Sequence, residues 1–197
     1  MSKSNYVLAP EPAIDLAIAE AMVDELENYL INDDLYRTVI VRLPSGDENV
    51  RMTLGDLFSR FKRLEGEREQ LSEAERQRLD SVRQRAESII YSFRTRALQR
   101  MEREIKGRLD SLKWFLDDCN QDRQRCRSEY PFEIRNRQRI QELLGQFGTN
   151  LPQPLADRLA QIDNRIRQIT HGTGFIWDNR LQAAFPPQPY WYLYVSP

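Results

Sequence analysis

Residues 72–119 read SEAERQRLDSVRQRAESIIYSFRTRALQRMEREIKGRLDSLKWFLDDC and carry an unbroken series of apolar positions. Successive members are three or four residues apart: Leu79, Val82, Ala86, Ile89, Phe93, Ala97, Met101, Ile105, Leu109, Leu112, Leu116 and Cys119. The eleven steps cover 40 residues, a period of about 3.6 that is typical of a straight α-helix. Ser72 and Glu75 have the spacing of a capping box at its start. We therefore predict one helix of about 48 residues, whose apolar seam needs partners along one side.

The segments on either side of this helix predict a mainly α fold with a small β element. Residues 35–53 contain β-branched side chains before the turn sequence Pro44-Ser45-Gly46-Asp47 and a short apolar alternation after it, which predicts a β-hairpin. Thr53 and Asp56 have the spacing of a helix cap. Shorter helices are predicted over residues 12–31, 54–66, 134–147 and 155–169.

Residues 171–197 form a tail that is rich in aromatic residues and proline. Its last part alternates two sets of side chains, Tyr190, Tyr192 and Tyr194 on one face and Trp191, Leu193 and Val195 on the other. This alternation predicts a C-terminal strand. We expect the tail to dock on the protein's own hairpin or helices, because so much aromatic area is costly to leave in water. The alternative is a linear motif that binds another protein.

Together these elements predict a single domain over residues 1–197, an elongated helical bundle built on the long helix. It would consist of residues 10–66, the long helix with its packing helices in residues 72–170, and the tail. The helices at 134–147 and 155–169 supply about 30 residues against a seam of 40. A second copy of the chain would have to cover the remainder, so we expect a homodimer with coiled-coil character.

The composition is typical of a soluble, helix-rich protein. The charged fraction is 30%, the hydrophobic fraction is 40% and the net charge is −1, values that do not indicate disorder. We expect no membrane span and a cytoplasmic location, because no apolar run is long enough and the first residues lack the apolar core of a signal peptide. Acidic residues are concentrated at the front, where residues 1–34 hold eight acids and one base.

Arginine residues recur at helical spacing along the predicted long helix. Arg85, Arg96 and Arg103 follow Arg78 by 7, 18 and 25 residues, close to whole numbers of turns, so the four align in one arginine stripe. Forked guanidinium groups at these intervals suit a phosphate backbone or an acidic protein surface, including the protein's own first helix. The alternative is a solvated face with local ion pairs.

Few residues indicate a reaction. His171 is the only histidine, and its place beside Gly172 suits either a catalytic residue or an ordinary connector. On a continuous helix Cys119 and Cys126 would be about 10 Å apart, which is too far for a disulfide. They are also too few to hold a metal, so we expect free buried thiols. We predict no catalytic residue, no cofactor and no metal site.

Our first hypothesis is therefore a non-enzymatic interaction, regulatory or scaffold protein that uses an elongated helical surface. Its partner would be a protein with an acidic surface, or a second copy of the chain. The predicted partner-binding residues are Arg78, Arg85, Arg96, Arg103, Trp191, Tyr192 and Tyr194. The alternative hypothesis is a nucleic-acid-binding protein that uses the arginine stripe, and the third is an enzyme that uses His171.

Overall fold

The computed structural model describes residues 9–32, 35–147 and 151–197. Within them the chain is mainly helical, with eight α-helices and two antiparallel strand pairs. The described residues divide into two compact units, a first unit of Ala9–Glu104 and a second unit of Ile105–Pro197. The sequence predicted one domain that is divided after residues 66 and 170, whereas the two compact units meet after Glu104. Whether the chain is a single domain stays a prediction.

The first unit contains the predicted hairpin and the helices around it. Its elements are α1 (Pro12–Asp24), α2 (Leu26–Ile31), β1 (Arg37–Leu43), β2 (Gly46–Met52), α3 (Leu54–Gly66), α4 (Glu73–Ser92) and the beginning of α5 (Arg94–Cys119). The hairpin is confirmed: β1 and β2 pair without interruption from Leu43 and Gly46 to Arg37 and Met52. On its inner face Val39, Val41 and Met52 are buried, while much of its outer face is exposed.

Both predicted helix caps are confirmed. The Thr53 hydroxyl accepts a hydrogen bond from the Asp56 N–H at 3.1 Å and begins α3. Ser72 and Glu75 form a complete capping box at the start of α4, in which the Glu75 carboxylate accepts from the Ser72 N–H at 2.8 Å. The hydrogen bonds from Ser72 lower the pKa of Glu75 from its ordinary value. These local signals explain why the starts of α3 and α4 could be predicted.

A buried carboxylate joins α1 to α3. Asp15 is fully buried, and its two oxygens accept hydrogen bonds from Arg63 Nε at 3.0 Å and Arg63 Nη2 at 2.9 and 3.1 Å. Arg60 donates to the same carboxylate. Burial lowers the pKa of the Arg60 guanidinium, and Asp15 opposes this change. A lone buried carboxylate would be strongly unfavourable, so the two arginines make this position tolerable.

The predicted single helix over residues 72–119 is wrong, because α4 ends at Ser92 and α5 begins at Arg94. Phe93 lies between them, outside helical geometry, with φ −111° and ψ 29°. Just before the break, the Ser88 hydroxyl donates to the Gln84 carbonyl and the Ser92 hydroxyl donates to the Ser88 carbonyl, both at 2.9 Å. Such bonds to the preceding turn commonly bend helices. The break spans one residue, so the apolar period continues across it.

The apolar seam is covered within one chain. All of its members are buried except Ile89 and Phe93, which are half-buried. The need for a second copy to cover the seam therefore disappears, and the homodimer stays a prediction without that support.

The second unit is built from the rest of α5 and the helices and turns that follow it. Its further elements are α6 (Arg123–Glu133), α7 (Arg135–Phe147), α8 (Gln153–Ile169), β3 (His171–Gly172) and β4 (Val195–Ser196), with single 3₁₀ segments at Asn179–Ala184 and Trp191–Leu193. The strands β3 and β4 pair with each other. The C-terminal strand is thus present, but it is much shorter than the predicted alternation.

The tail does not place its tyrosines on one face of a strand. Residues Trp191–Leu193 form a 3₁₀ turn, closed by the Tyr194 N–H, which donates to the Trp191 carbonyl at 3.0 Å. Neighbouring rings pack edge to face, with centroids 5.1 Å apart for Phe185 and Tyr190 and 6.4 Å for Tyr190 and Tyr192. Clustering of the rings, rather than pairing with a flat sheet, therefore sets the backbone conformation here.

Candidate partner-binding surfaces

The first half of the arginine stripe contacts the protein's own α1. Arg78 Nε donates to a Glu20 carboxylate oxygen at 2.8 Å, and this hydrogen bond raises the pKa of Arg78. Arg85 forms an ion pair with Asp24. Both pairs are substantially exposed to solvent. These two arginines therefore join α4 to the acidic side of α1.

The second half of the stripe borders a cavity of about 450 Å³ between α2 and α5. Arg96 Nη1 donates to the Ile31 carbonyl at 2.6 Å, at the end of α2. The cavity is lined by Leu30, Ile31, Asn32, Arg96, Gln99, Arg100, Glu102 and Arg103. We call it the basic cavity, because its lining among the described residues has three guanidinium groups and one carboxylate. Its volume falls in the range of about 300–1,000 Å³ that is usual for ligand sites.

Beside this cavity two buried side chains of α5 contact α2 and the start of α3. Arg100 is buried, and its guanidinium carbon lies 5.4 Å from the centroid of the Tyr29 ring. Glu104 is buried as well, and its carboxylate accepts hydrogen bonds from the Thr53 hydroxyl at 2.8 Å and from the Gly55 N–H at 3.1 Å. The row Arg96, Arg100 and Arg103 is thereby placed by packing on α2 and α3.

The predicted tail residues lie in the second unit, whereas the arginine stripe lies in the first. Tyr192 is fully buried, with its ring 4.7 Å from the Arg137 guanidinium carbon and its carbonyl accepting from the Tyr130 hydroxyl at 2.9 Å. Trp191 is half-buried beneath the Arg167 guanidinium, at 4.2 Å. The Tyr194 hydroxyl donates to the Phe185 carbonyl at 2.8 Å. The tail is docked on the protein's own helices, as expected.

The docked tail covers a buried polar cluster. Arg137 is buried and binds the Asp163 carboxylate through Nε at 2.7 Å and Nη2 at 3.1 Å. The Tyr190 hydroxyl donates to the Glu142 carboxylate at 2.7 Å. Burial raises the pKa of Tyr130, Tyr190 and Tyr192, so their hydroxyl groups stay protonated. Neutral phenols and a paired arginine indicate a structural role.

The histidine and the two cysteines that were considered for chemistry lie in different environments. His171 is exposed on β3, where it pairs with Ser196 of β4. The expectation of free thiols is wrong, because Cys119 and Cys126 form a disulfide with their Cα atoms 4.8 Å apart. The helix ends at Cys119 and a new helix begins after Asp122, whose carboxylate caps it. The chain does not continue as one helix here, and the turn between the two helices brings the cysteines within the Cα distance that a disulfide requires.

Removing this disulfide is expected to destabilise the second unit moderately. In the chain-entropy account, a closed loop of this size contributes about 2.5 kcal/mol. We expect the double variant Cys119→Ser/Cys126→Ser to melt at a lower temperature than the oxidised protein. The same change should follow from adding a reductant to the unmodified chain. Equal melting curves for all three samples would contradict this prediction.

Several residues of the basic cavity were not predicted. Arg100 follows Arg96 by four residues and precedes Arg103 by three, so the helical period places it beside the stripe. The predicted stripe consisted of Arg78, Arg85, Arg96 and Arg103, and Arg100 was not included in it. No sequence pattern indicated that Asn32 and Gln99 line a cavity, since α2 and α5 approach each other only in the folded chain.

Two other kinds of feature are absent from the described residues. No group of three or more histidine, cysteine or acidic side chains is arranged there to hold a metal ion. No helix in that part of the chain has both the length and the apolar character that crossing a bilayer requires. The chain matches no protein-family model, and no curated protein or solved structure is significantly similar to it.

Proposed function

We propose that this chain is a non-enzymatic interaction protein with a regulatory or scaffold role, which binds an acidic segment of a partner protein in the basic cavity. The observation that supports this proposal is the row Arg96, Arg100 and Arg103 beside a cavity of about 450 Å³. Guanidinium groups bind carboxylates through paired, charge-assisted hydrogen bonds, which are stronger than neutral ones. Leu30 and Ile31 add an apolar lining that suits a peptide with both acidic and apolar side chains.

The distribution of arginine contacts favours a protein over a nucleic acid. A phosphate backbone is bound most tightly by a long series of cations that each neutralise one phosphate. Here Arg78 and Arg85 already pair with Glu20 and Asp24. The second half of the stripe borders a short cavity that also contains the Glu102 carboxylate. This footprint matches a few acidic side chains better than an extended polyanion.

The proposal predicts a difference between the two halves of the stripe. We expect Arg96→Gln/Arg103→Gln to weaken binding of a labelled peptide that alternates Asp with Leu by about tenfold or more. The matched control Arg78→Gln/Arg85→Gln removes the same charge elsewhere, so it should leave binding nearly unchanged and lower stability slightly. Fluorescence anisotropy measures the affinity, and the corresponding Asn-Leu peptide tests whether the carboxylates are required.

Two results would contradict the proposal. One is equal affinity for the Asp-Leu and Asn-Leu peptides, which would show that the carboxylates are not recognised. The other is tight binding of DNA or RNA at physiological salt that both double variants weaken. In that case the slope of log affinity against log salt should decrease by about one for each phosphate that an arginine no longer neutralises, and the nucleic-acid hypothesis would be preferred.

A further inference from the structure

The hairpin presents an open edge along β2. The β1–β2 sheet has two strands, and in the described part of the chain no further strand pairs with it. From Gly46 to Asn49 the strand β2 is exposed, and Arg51 is exposed as well. Natural edge strands are usually protected from pairing with another chain by charged side chains, a proline or a bulge. The sequence of β2, GDENVRM, contains no proline and its pairing with β1 is continuous, while the charged residues Asp47 and Arg51 are of opposite sign.

The hairpin geometry determines which backbone groups face this edge. The connection has two residues, Pro44 and Ser45, and the pair Leu43–Gly46 closes it. In such a hairpin the closing pair is hydrogen-bonded, and hydrogen-bonded and non-hydrogen-bonded pairs then alternate along the strands. Asp47, Asn49 and Arg51 belong to the non-hydrogen-bonded pairs. Their N–H and C=O groups therefore point away from β1, toward the open edge.

The three outward residues are complementary to themselves in the antiparallel direction. When two β2 strands pair about Asn49, Asp47 of each copy lies opposite Arg51 of the other, and the two Asn49 residues face each other. Each opposed pair can exchange two backbone hydrogen bonds, because both members point outward. A parallel arrangement would place like charges together, which is unfavourable. A shift by two residues would remove both ion pairs.

We propose that a second copy of this chain binds at the β2 edge, so that two hairpins form one four-stranded antiparallel sheet. Asp47 and Arg51 set the direction and the register, and Asn49 lies on the two-fold axis. In the single chain the Arg51 guanidinium carbon lies 3.9 Å from the centroid of the Tyr36 ring. The surface is separate from the basic cavity, so dimerisation and binding of an acidic peptide are independent properties.

The first test removes edge hydrogen bonds and leaves the hairpin intact. The variant Asn49→Pro lacks the N–H of residue 49, which points away from β1. Proline is tolerated in edge strands at such positions, because no hydrogen bond within the hairpin is lost. By symmetry each dimer then lacks two hydrogen bonds. We expect the dissociation constant measured by sedimentation of the full chain to rise about 30-fold. A wild-type chain that sediments as a monomer throughout the micromolar range would overturn the proposal.

The second test exchanges the charges. Asp47→Arg and Arg51→Asp should each weaken the dimer, because each replaces two attractive contacts with repulsive ones. The double variant Asp47→Arg/Arg51→Asp restores unlike pairs and should recover dimerisation. Glu48→Arg is the matched control, since its backbone groups point toward β1 and it lies outside the row of pairs. A dimer that Asn49→Pro and both single charge reversals leave unchanged would show that another surface is used.

Discussion

Replacing Asp15 by Asn is expected to lower the free energy of unfolding of the first unit by about 3–5 kcal/mol, because two half-buried guanidinium groups would lose their buried counter-charge. Asp15 receives three hydrogen bonds from Arg63 and a further one from Arg60. An asparagine has the same shape, so the change tests the charge and not the packing. Urea denaturation of the full chain measures the effect.

The matched control for this prediction is Glu20→Gln, which also removes one carboxylate from α1. Glu20 pairs with Arg78 at a position where both side chains are substantially exposed. Exposed pairs contribute about 0–1 kcal/mol, so we expect a much smaller loss. A double-mutant cycle with Arg63→Gln should show strong coupling to Asp15, since the two side chains are in contact. Similar losses for Asp15→Asn and Glu20→Gln would show that the buried cluster is not important for stability.

Features of the fold that depend on short-range signals could be predicted from the sequence. The hairpin followed from β-branched residues around Pro44-Ser45-Gly46-Asp47, where Gly46 adopts φ 121°. The cap residues Thr53 and Ser72 acted through backbone groups three positions away. Each of these interactions is complete within a few residues. The structure therefore reproduces them whatever the rest of the chain does.

The break at Phe93 and the disulfide could not be predicted from the apolar period. A one-residue interruption leaves the seam on the same side, so the pattern is equally consistent with one helix or two. Gly107 is the one glycine in residues 72–119, and α5 passes through it without interruption. The cysteines were judged by their distance along a continuous helix, and the turn after Cys119 brought them together.

The candidate site illustrates the same limit. The spacing of Arg78, Arg85, Arg96 and Arg103 predicted one stripe, but it did not identify their partners. Glu20 lies 58 residues from Arg78 in the chain, and such a pairing depends on how α1 and α4 pack. Sequence patterns describe the face of one helix, whereas a binding site is formed by two or more elements. The contacts of Arg78 and Arg85 with α1, and the place of Arg96 and Arg103 at the cavity, therefore required the structure.

The second large effect is expected in the tail. We predict that Tyr192→Ala lowers the free energy of unfolding of the second unit by about 3–5 kcal/mol, the usual cost of removing a buried aromatic ring. The Tyr192 ring is fully buried beside Arg137. The backbone carbonyl of Tyr192 accepts a hydrogen bond from the Tyr130 hydroxyl. Removal of residues 186–197 should destabilise the unit further, since it also removes the carbonyl that Tyr130 bonds and the buried Leu193. Urea denaturation followed by tryptophan fluorescence measures both changes.

Tyr192→Phe is the matched control for the tail. Within the described residues the Tyr192 hydroxyl is buried and has no hydrogen-bond partner, and such a group costs about 1–3 kcal/mol. Deleting the oxygen while keeping the ring should therefore leave stability unchanged or increase it, in contrast to the alanine variant. If the chain without residues 186–197 melts at the temperature of the full chain, the docked tail does not stabilise the unit. A truncated chain that melts normally but no longer retains a protein partner would instead support the linear-motif interpretation of Trp191, Tyr192 and Tyr194.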